Sequence, residues 1–335
     1  MVFLIQQTMI YAVPLMLVAL AGVCAERSGT INLALEGIMI MGAFIGVMTV
    51  RILQGGGSFT SENGQLLMLI ALIVSGIVGA LFSLLLGFSA INLKADQTIG
   101  GTALNMLAPA LVLFLITIII HQNNIGMLTG AAGTWFMIKP TTFGFEPDHS
   151  FGILDVFINK VYPSSYVCIL IFVIVSIFLY KTKTGLRLRA CGENPQAADS
   201  LGINVYKMRY LGIILSGFLA GVGGFQFALT VSNCTSTGAV AGYGFLALAV
   251  MIFGNWTPIN IAICSVLFGL FKCISATYAT LDINGDGVFT LANLGISPYV
   301  YRLLPYVITL IVLAFTSKKS RVPKAEGIPY DKGAR

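Results

Sequence analysis

Residues 66–91 read LLMLIALIVSGIVGALFSLLLGFSAI, with no charged side chain among them. An α-helix rises about 1.5 Å per residue and the hydrocarbon core of a bilayer is about 30 Å thick, so about 20 apolar residues cross it. Lipid offers the backbone no hydrogen-bond partners, and a helix satisfies its own N–H and C=O groups. The stretch therefore predicts a membrane-spanning helix.

The composition of the whole chain extends this prediction. Of 335 residues, 57% are hydrophobic and 10% are charged, with a mean hydropathy of +0.90, whereas soluble proteins carry about 25% charged residues. The six cysteines are scattered singly, which excludes a disulfide scaffold. We expect an all-α membrane protein, a polytopic helical bundle of about nine spans, with eight to ten compatible: 9–24, 31–53, 66–91, 98–120, 166–180, 210–229, 245–253, 259–279 and 299–315.

The seventh stretch, 245–253, is too short to cross a bilayer alone. It is expected either to borrow residues from 239–244 or to be a re-entrant or broken piece packed inside protein. We divide the chain into a transmembrane domain, 1–316, and a basic tail, 317–335.

Basic residues predict the orientation, because Lys and Arg collect in short cytoplasmic loops. With nine alternating spans, one set of loops holds 14 of the 19 basic residues, including those of the loop 181–209 and the tail. The other set, which includes the long loop 121–160, holds only Lys139 and Lys160. We expect the C-terminus in the cytoplasm and the N-terminus outside. The net charge of +6 then follows from orientation and needs no nucleic-acid partner.

The loop 181–209 contains the signals of a short capped helix. Asn194 is a favourable N-cap, Pro195 suits the first helical position, and Gly202 suits the left-handed position past the end. Such a helix between two spans would offer a docking element to a cytoplasmic partner. A solvated basic loop with an incidental helix fits the composition equally well.

Polar side chains within the predicted spans mark a second candidate site. Glu36 and Lys272 are charged, and a charge in the bilayer is costly unless it is paired or functional. Counting from the span ends puts Glu36 about 8 Å and Lys272 about 21 Å from the cytoplasmic side, so we expect no direct ion pair. We predict a translocation pathway lined by Asn32, Glu36, Thr102, Asn105 and Gln226. Snorkelling charges and polar contacts between helices are the alternative.

Other chemistry has little support in the sequence. No phosphate-binding G-x-x-x-x-G-K-[ST] motif occurs, nor a nucleophile, zinc or dinucleotide signature, so we expect a chain without enzymatic activity or cofactor. Residues Asp282, Asn284 and Asp286 match the first half of a calcium loop, but Asn293 stands where a bidentate Glu belongs. A turn rich in Asp and Gly is the favoured interpretation.

Three segments together resemble permease subunits of ABC importers of the branched-chain amino acid/ribose type. The segment ERSGTINLALEG at 26–37, followed by MGAF at 41–44, resembles a signature of the nucleoside and simple-sugar branch. The loop TGLRLRACGENPQAADSLGI at 184–203 resembles the ATPase-contacting loop of the family, and GYGFLALAVMIFGNW at 242–256 resembles a later segment.

This resemblance implies that the loop helix couples the chain to a separate ABC ATP-binding subunit, which would carry ATP and Mg²⁺. It also implies a second permease, as a heterodimer or a homodimer, and an extracytoplasmic solute-binding lipoprotein at a bacterial cytoplasmic membrane. The expected solute is a nucleoside or simple sugar; a branched-chain amino acid permease and a stand-alone ion-coupled transporter or channel are alternatives. The residues that the resemblance assigns to coupling are Gly185, Arg187, Arg189, Gly192, Asn194, Pro195, Ala197, Ala198 and Gly202.

Overall fold

Helices make up nearly all of the regular structure in the computed structural model, which describes residues 2–57, 59–139, 159–279, 297–316 and 321–333. The helices are α1 (Val2–Glu26), α2 (Leu35–Gly55), α3 (Gly64–Gly87), α4 (Gln97–Ile120), α5 (Ala132–Trp135), α6 (Pro163–Lys181), α7 (Lys183–Glu193), α8 (Pro195–Ser200), α9 (Val205–Thr230), α10 (Tyr243–Phe253), α11 (Pro258–Thr277) and α12 (Pro298–Thr316). A π-turn, Phe88–Asn92, extends α3, and a 3₁₀ turn, Ser61–Asn63, precedes it. Two short strands, β1 (Ile125–Gly126) and β2 (Thr235–Ser236), pair antiparallel.

The prediction of a helical bundle is confirmed, because each of the nine apolar stretches contains a helix among the described residues. Among the described residues, seven helices are long and apolar enough to cross a membrane. The count of nine spans is not confirmed. The seventh stretch forms α10, which has only 11 residues and rises about 16 Å.

The helix α9 lies at the centre and packs against α1, α2 and α3. Its glycines bring backbones into contact. A Cβ atom placed on Gly221 would lie 2.3 Å from the Ser75 carbonyl oxygen on α3, and one on Gly42 of α2 would lie 2.3 Å from the Gly221 carbonyl oxygen. Similarly, a Cβ atom on Gly224 would lie 2.1 Å from the Met39 carbonyl oxygen. Small residues of this kind are what allow membrane helices to approach closely.

One end of the bundle, which we call the basic face, gathers the connections 27–34, 93–96, 182–204 and 254–257 together with residues 321–333. Three backbone amides of this last segment show the grouping, because they donate to Asn255 Oδ1, the Gly192 carbonyl and the Gly29 carbonyl. The opposite face carries the β1–β2 pair. The loops that the sequence grouped by charge therefore lie together at one end.

The glycine contacts of α9 predict that Gly221→Ala destabilises the bundle. The added methyl group would overlap the backbone of α3, and overpacking of this kind costs about 1–3 kcal/mol. Thermal unfolding in detergent measures the effect. The matched control is Gly56→Ala, because a Cβ atom there meets no atom closer than 3.7 Å. Equal melting temperatures for the two variants would contradict the packing argument.

Candidate functional site

The capped helix predicted in the loop 181–209 is present as α8. The Asn194 side chain accepts a hydrogen bond from the Ala197 amide at 3.0 Å, and Pro195 is the first helical residue. Past its end, Gly202 has a φ of +79°, a conformation that glycine adopts without strain. The helix is one residue shorter than the sequence suggested, since it ends at Ser200.

A second helix in this loop, α7, was missed by the sequence argument. The Thr182 hydroxyl caps it by accepting from the Gly185 amide at 3.1 Å. Leu188 and Cys191, three positions apart, are buried on one side. The capping threonine and the spacing of the two buried residues are both visible in the sequence. The basic residues between them made the segment resemble a solvated loop, so the short amphipathic helix was not predicted.

Close contacts hold α7 firmly against the membrane helices. A Cβ atom on Gly185 would lie 2.2 Å from the Phe178 carbonyl oxygen, and one on Gly192 would lie 2.4 Å from the Arg27 carbonyl oxygen. The Arg189 Nε donates to the Leu179 carbonyl at 3.1 Å, and its guanidinium lies 4.9 Å from the centre of the Tyr180 ring. Arg187, by contrast, is exposed. We call α7 and α8 together the loop module.

The helix α8 buries one side and exposes the other. Ala198 is 3% exposed and packs near Cys191 and Val205. Ala197 is exposed on the opposite side, and Leu201 at the end of the helix is 82% exposed. The module therefore presents an apolar tip at the basic face.

A second cluster lies inside the bundle, where polar side chains form hydrogen bonds with backbone groups at the start of α2. Asn105 accepts from the Gly37 amide at 2.8 Å and donates to the Leu33 carbonyl at 2.7 Å. Asn32 accepts from the Ala34 amide at 3.1 Å and donates to the Ser216 hydroxyl at 2.8 Å. These bonds satisfy a non-helical stretch of chain within the membrane region.

Glu36 joins α2 to the beginning of α10. Its carboxylate oxygens accept from the amides of Gly242 at 2.9 Å and Gly244 at 2.6 Å. Gly242 has a φ of +74° and precedes the first residue of α10. An acceptor at this position is favoured by the unpaired amides and the positive end of the helix dipole.

The segment before α10 is not helical. Residues 237–242 follow β2 without helical structure, and Gly238 packs beside Leu113 on α4. Of the two alternatives for the seventh stretch, the broken piece packed inside protein is the one that the structure shows. The Gly242 amide of this segment and the Gly244 amide of α10 both donate to Glu36, which satisfies them inside the bundle.

The Lys272 side chain also lies near the start of α10, closer to Glu36 than the depth count implied. Its ammonium group is 5.3 Å from the centre of the Tyr243 ring, and the neighbouring Gly244 amide donates to Glu36. The depth count had assumed that the second span begins at the membrane surface. In fact Asn32 donates to Ser216, and Ser216 lies seven residues further along α9 than Arg209, the last residue of the loop 181–209. Glu36 therefore lies deeper than the count implied.

Comparison with known proteins establishes the family. The family model described as "Branched-chain amino acid transport system / permease component" matches residues 4–313. The chain belongs to this permease family. The recognition of a permease of the ABC importer type from three sequence segments is thereby confirmed. Family membership also makes the chain a multi-pass membrane transport subunit and implies ATPase and binding-protein partners.

Three relatives of the permease illustrate its closer similarities. It is 38% identical over 329 residues to the nucleoside ABC transporter permease protein NupC of Lactococcus lactis subsp. cremoris, covering 98% of this chain and 96% of the relative. It is 36% identical to the guanosine ABC transporter permease protein NupQ of Bacillus subtilis, covering 99% and 97%. A second L. lactis protein, the nucleoside ABC transporter permease protein NupB, is 25% identical, covering 94% and 80%. No solved structure matches the chain.

The five residues predicted to line the pathway of this permease are not all in one place. Asn32, Glu36 and Asn105 meet around the start of α2. Gln226 is buried about 15 Å further along α9 from Ser216, where it donates to the Ser165 hydroxyl at 3.1 Å. Thr102 is exposed, and its hydroxyl donates to the carbonyls of its own helix.

Residues 321–333 of the permease form a strap across the basic face that the sequence argument missed. Tyr330 is buried against Cys191 and Ala198 and meets Tyr206 edge to face, with ring centres 5.3 Å apart. Asp331 accepts from the Lys94 ammonium at 2.8 Å, which lowers the pKa of Asp331. The strap thus touches the loop module and the α3–α4 connection together.

Glu326 lies in the buried part of this strap. Burial raises the pKa of Glu326 from 4.5 to about 7, against the opposing effect of Arg27. The Glu26 carboxylate nearby accepts a hydrogen bond from the Trp256 indole. The ion pair between Asp331 and Lys94 supplies a polar anchor for the strap, in addition to the apolar contacts of Tyr330.

Among the described residues, no group of three or more His, Cys, Asp or Glu side chains is placed to hold a metal ion. The calcium-loop candidates Asp282, Asn284, Asp286 and Asn293 lie outside the described residues.

The contacts of Glu36 predict that Glu36→Gln destabilises the permease. Glutamine would place an amide N–H₂ opposite a backbone donor, and a buried unsatisfied group costs about 1–3 kcal/mol. A lower melting temperature and slower uptake are expected. The control is Glu62→Gln, since Glu62 is exposed on the 3₁₀ turn. If the two variants melt alike, Glu36 does not hold α10 in place.

Proposed function

We propose that this permease carries nucleosides, as the membrane subunit of an ATP-driven ABC importer. The observation that carries the proposal is full-length similarity at 36–38% identity to two permeases named for nucleoside and guanosine transport. The first signature, residues 26–37, supports the same branch. Simple sugars and branched-chain amino acids are the competing substrates.

Coupling to ATP is proposed to pass through α8. The helix is capped at both ends, and Ala198 packs its buried side against the chain. Leu201 at its C-terminal end is exposed. A rigid element with an exposed apolar tip suits docking on a partner surface. In this proposal Gly185, Arg189 and Gly192 act indirectly, because they fix α7 to the bundle, and ATP and Mg²⁺ bind on the partner.

The proposed orientation puts the basic face in the cytoplasm, where the ATPase is, and the N-terminus outside. Support comes from the excess of Lys and Arg in the connections gathered on this face. A solute-binding lipoprotein would then deliver the nucleoside to the opposite face, at the outer surface of a bacterial cytoplasmic membrane.

A heterodimer with a different permease is proposed for the complete transporter. Two L. lactis proteins, NupC and NupB, both carry the name of nucleoside ABC transporter permease and differ in their identity to this chain, 38% against 25%. A pair of unlike permeases is therefore a reasonable assembly for this chain, with a homodimer as the alternative.

The substrate proposal predicts the outcome of competition experiments. Proteoliposomes holding the complete transporter and ATP should take up labelled guanosine, and unlabelled adenosine or uridine should suppress that uptake. Equal excesses of leucine or ribose should leave it unchanged. Suppression by leucine or ribose alone would favour a competing substrate class. Uptake by the permease without ATPase, driven by an ion gradient, would contradict the importer proposal.

The coupling proposal predicts that Leu201→Asp reduces ATP-dependent uptake by about tenfold or more, because a charge would replace an apolar docking tip. Folding should be unaffected, since Leu201 is 82% exposed. The control is Leu93→Asp, another leucine with 64% exposure in the α3–α4 connection. Uptake and membrane insertion are measured for both. Normal uptake with Leu201→Asp would exclude α8 as the docking element.

A further inference from the structure

The strap and α8 enclose a cavity that the coupling proposal leaves unexplained. It has a volume of about 450 Å³ and opens at the basic face. One wall is the exposed side of α8, including Gln196, Asp199 and Ser200, and the other wall is Tyr330, Asp331 and Lys332 of the strap. A side chain or short segment of a partner would fit a space of this size.

A second cavity lies on the other side of α8. It has a volume of about 410 Å³ and is lined by residues of the turn 202–206 together with Asp199 and Lys332. Asp199 and Lys332 therefore border both cavities. The two cavities meet at these residues, and Lys332 is the strap residue that lines both.

The strap wall is held in place by contacts that do not involve Lys332. Tyr330 is buried against the loop module, and Asp331 is paired with Lys94 at 2.8 Å. The Gly333 amide closes a local turn by donating to Asp331 Oδ1 at 3.1 Å. Lys332 itself is exposed, so its side chain is presented on an ordered backbone.

We propose that the ATP-binding subunit docks on a composite surface made of α8 and strap residues 330–332, with Lys332 as a direct contact. This inference rests on the proposed function, because it assumes that α8 receives an ATPase. It adds a second element to the docking site, one that is distant from α8 in sequence by about 130 residues.

The charge of the basic face indicates the chemistry of the partner surface. Arg187, Lys207 and Lys332 are all exposed there. Within the proposed surface, Asp331 is paired with Lys94 at 2.8 Å, while Asp199 and Lys332 border both cavities. Interfaces arrange complementary potentials across the contact, so the group of the ATPase that faces Lys332 should be acidic. Lys332 would lie opposite an acidic group at the edge of the docked helix.

The test measures the affinity of the purified ATP-binding subunit of the same transporter for the assembled pair of permeases in nanodiscs, with each substitution made in this chain. Lys332→Glu should raise the Kd about fivefold at low salt, with a smaller effect at high salt. The matched control is Lys324→Glu, which makes the same charge change at an exposed position of the strap that borders neither cavity. Its Kd should stay within about twofold of the wild type.

The outcomes separate this inference from the proposed function. If the wild type binds and Leu201→Asp does not, while Lys332→Glu binds as Lys324→Glu does, α8 docks the ATPase and the strap does not. Tighter binding by Lys332→Glu would overturn the acidic contact that we assign to Lys332. If the wild-type permease binds no ATP-binding subunit, the proposed function itself fails. Thermal unfolding of each variant shows whether the fold is unchanged.

Discussion

Backbone contact along α9 is the constraint on which the rest of the bundle depends. Gly221 and Gly224 leave room for the backbones of α2 and α3, so these two helices approach the central one more closely than side chains would allow. Lipid tails are as apolar as leucine, so association of these helices relies on packing rather than on a hydrophobic driving force. The helix α9 begins at Val205, shortly after the loop module ends at Ser200, so a short turn joins the module to the packed centre.

A second constraint explains the polar residues within the membrane region. Two stretches of non-helical backbone, 27–34 and 237–242, lie against the bundle. Side chains of the bundle satisfy backbone groups of both stretches. Asn32 accepts from the Ala34 amide, Asn105 donates to the Leu33 carbonyl, and Glu36 accepts from the Gly242 amide. The same polar residues that the sequence suggested for a pathway are thus engaged with the backbone, and they hold the ends of α2 and α10 together.

The basic face combines two roles that the sequence kept separate. Positive charge predicts which side of the membrane a loop occupies, and α8 is the proposed docking element. The strap joins them, since it binds the loop module through Tyr330 and the α3–α4 connection through Asp331. A partner on this face would therefore contact parts of the chain that belong to several membrane helices.

The sequence by itself determined the helical membrane class, the caps of α8 and the family, because each depends on composition or on residues close together in the chain. Asn194 and Gly202, for example, specify the ends of α8 locally. It did not determine the depth of Glu36, its meeting with Lys272 or the strap over Ala198. Those contacts join residues about 130 to 240 positions apart, and they exist only because the helices pack in one arrangement. No local pattern shows that the stretch 27–34 enters the bundle or that the strap 321–333 packs on the loop module. The tertiary structure alone decided these features.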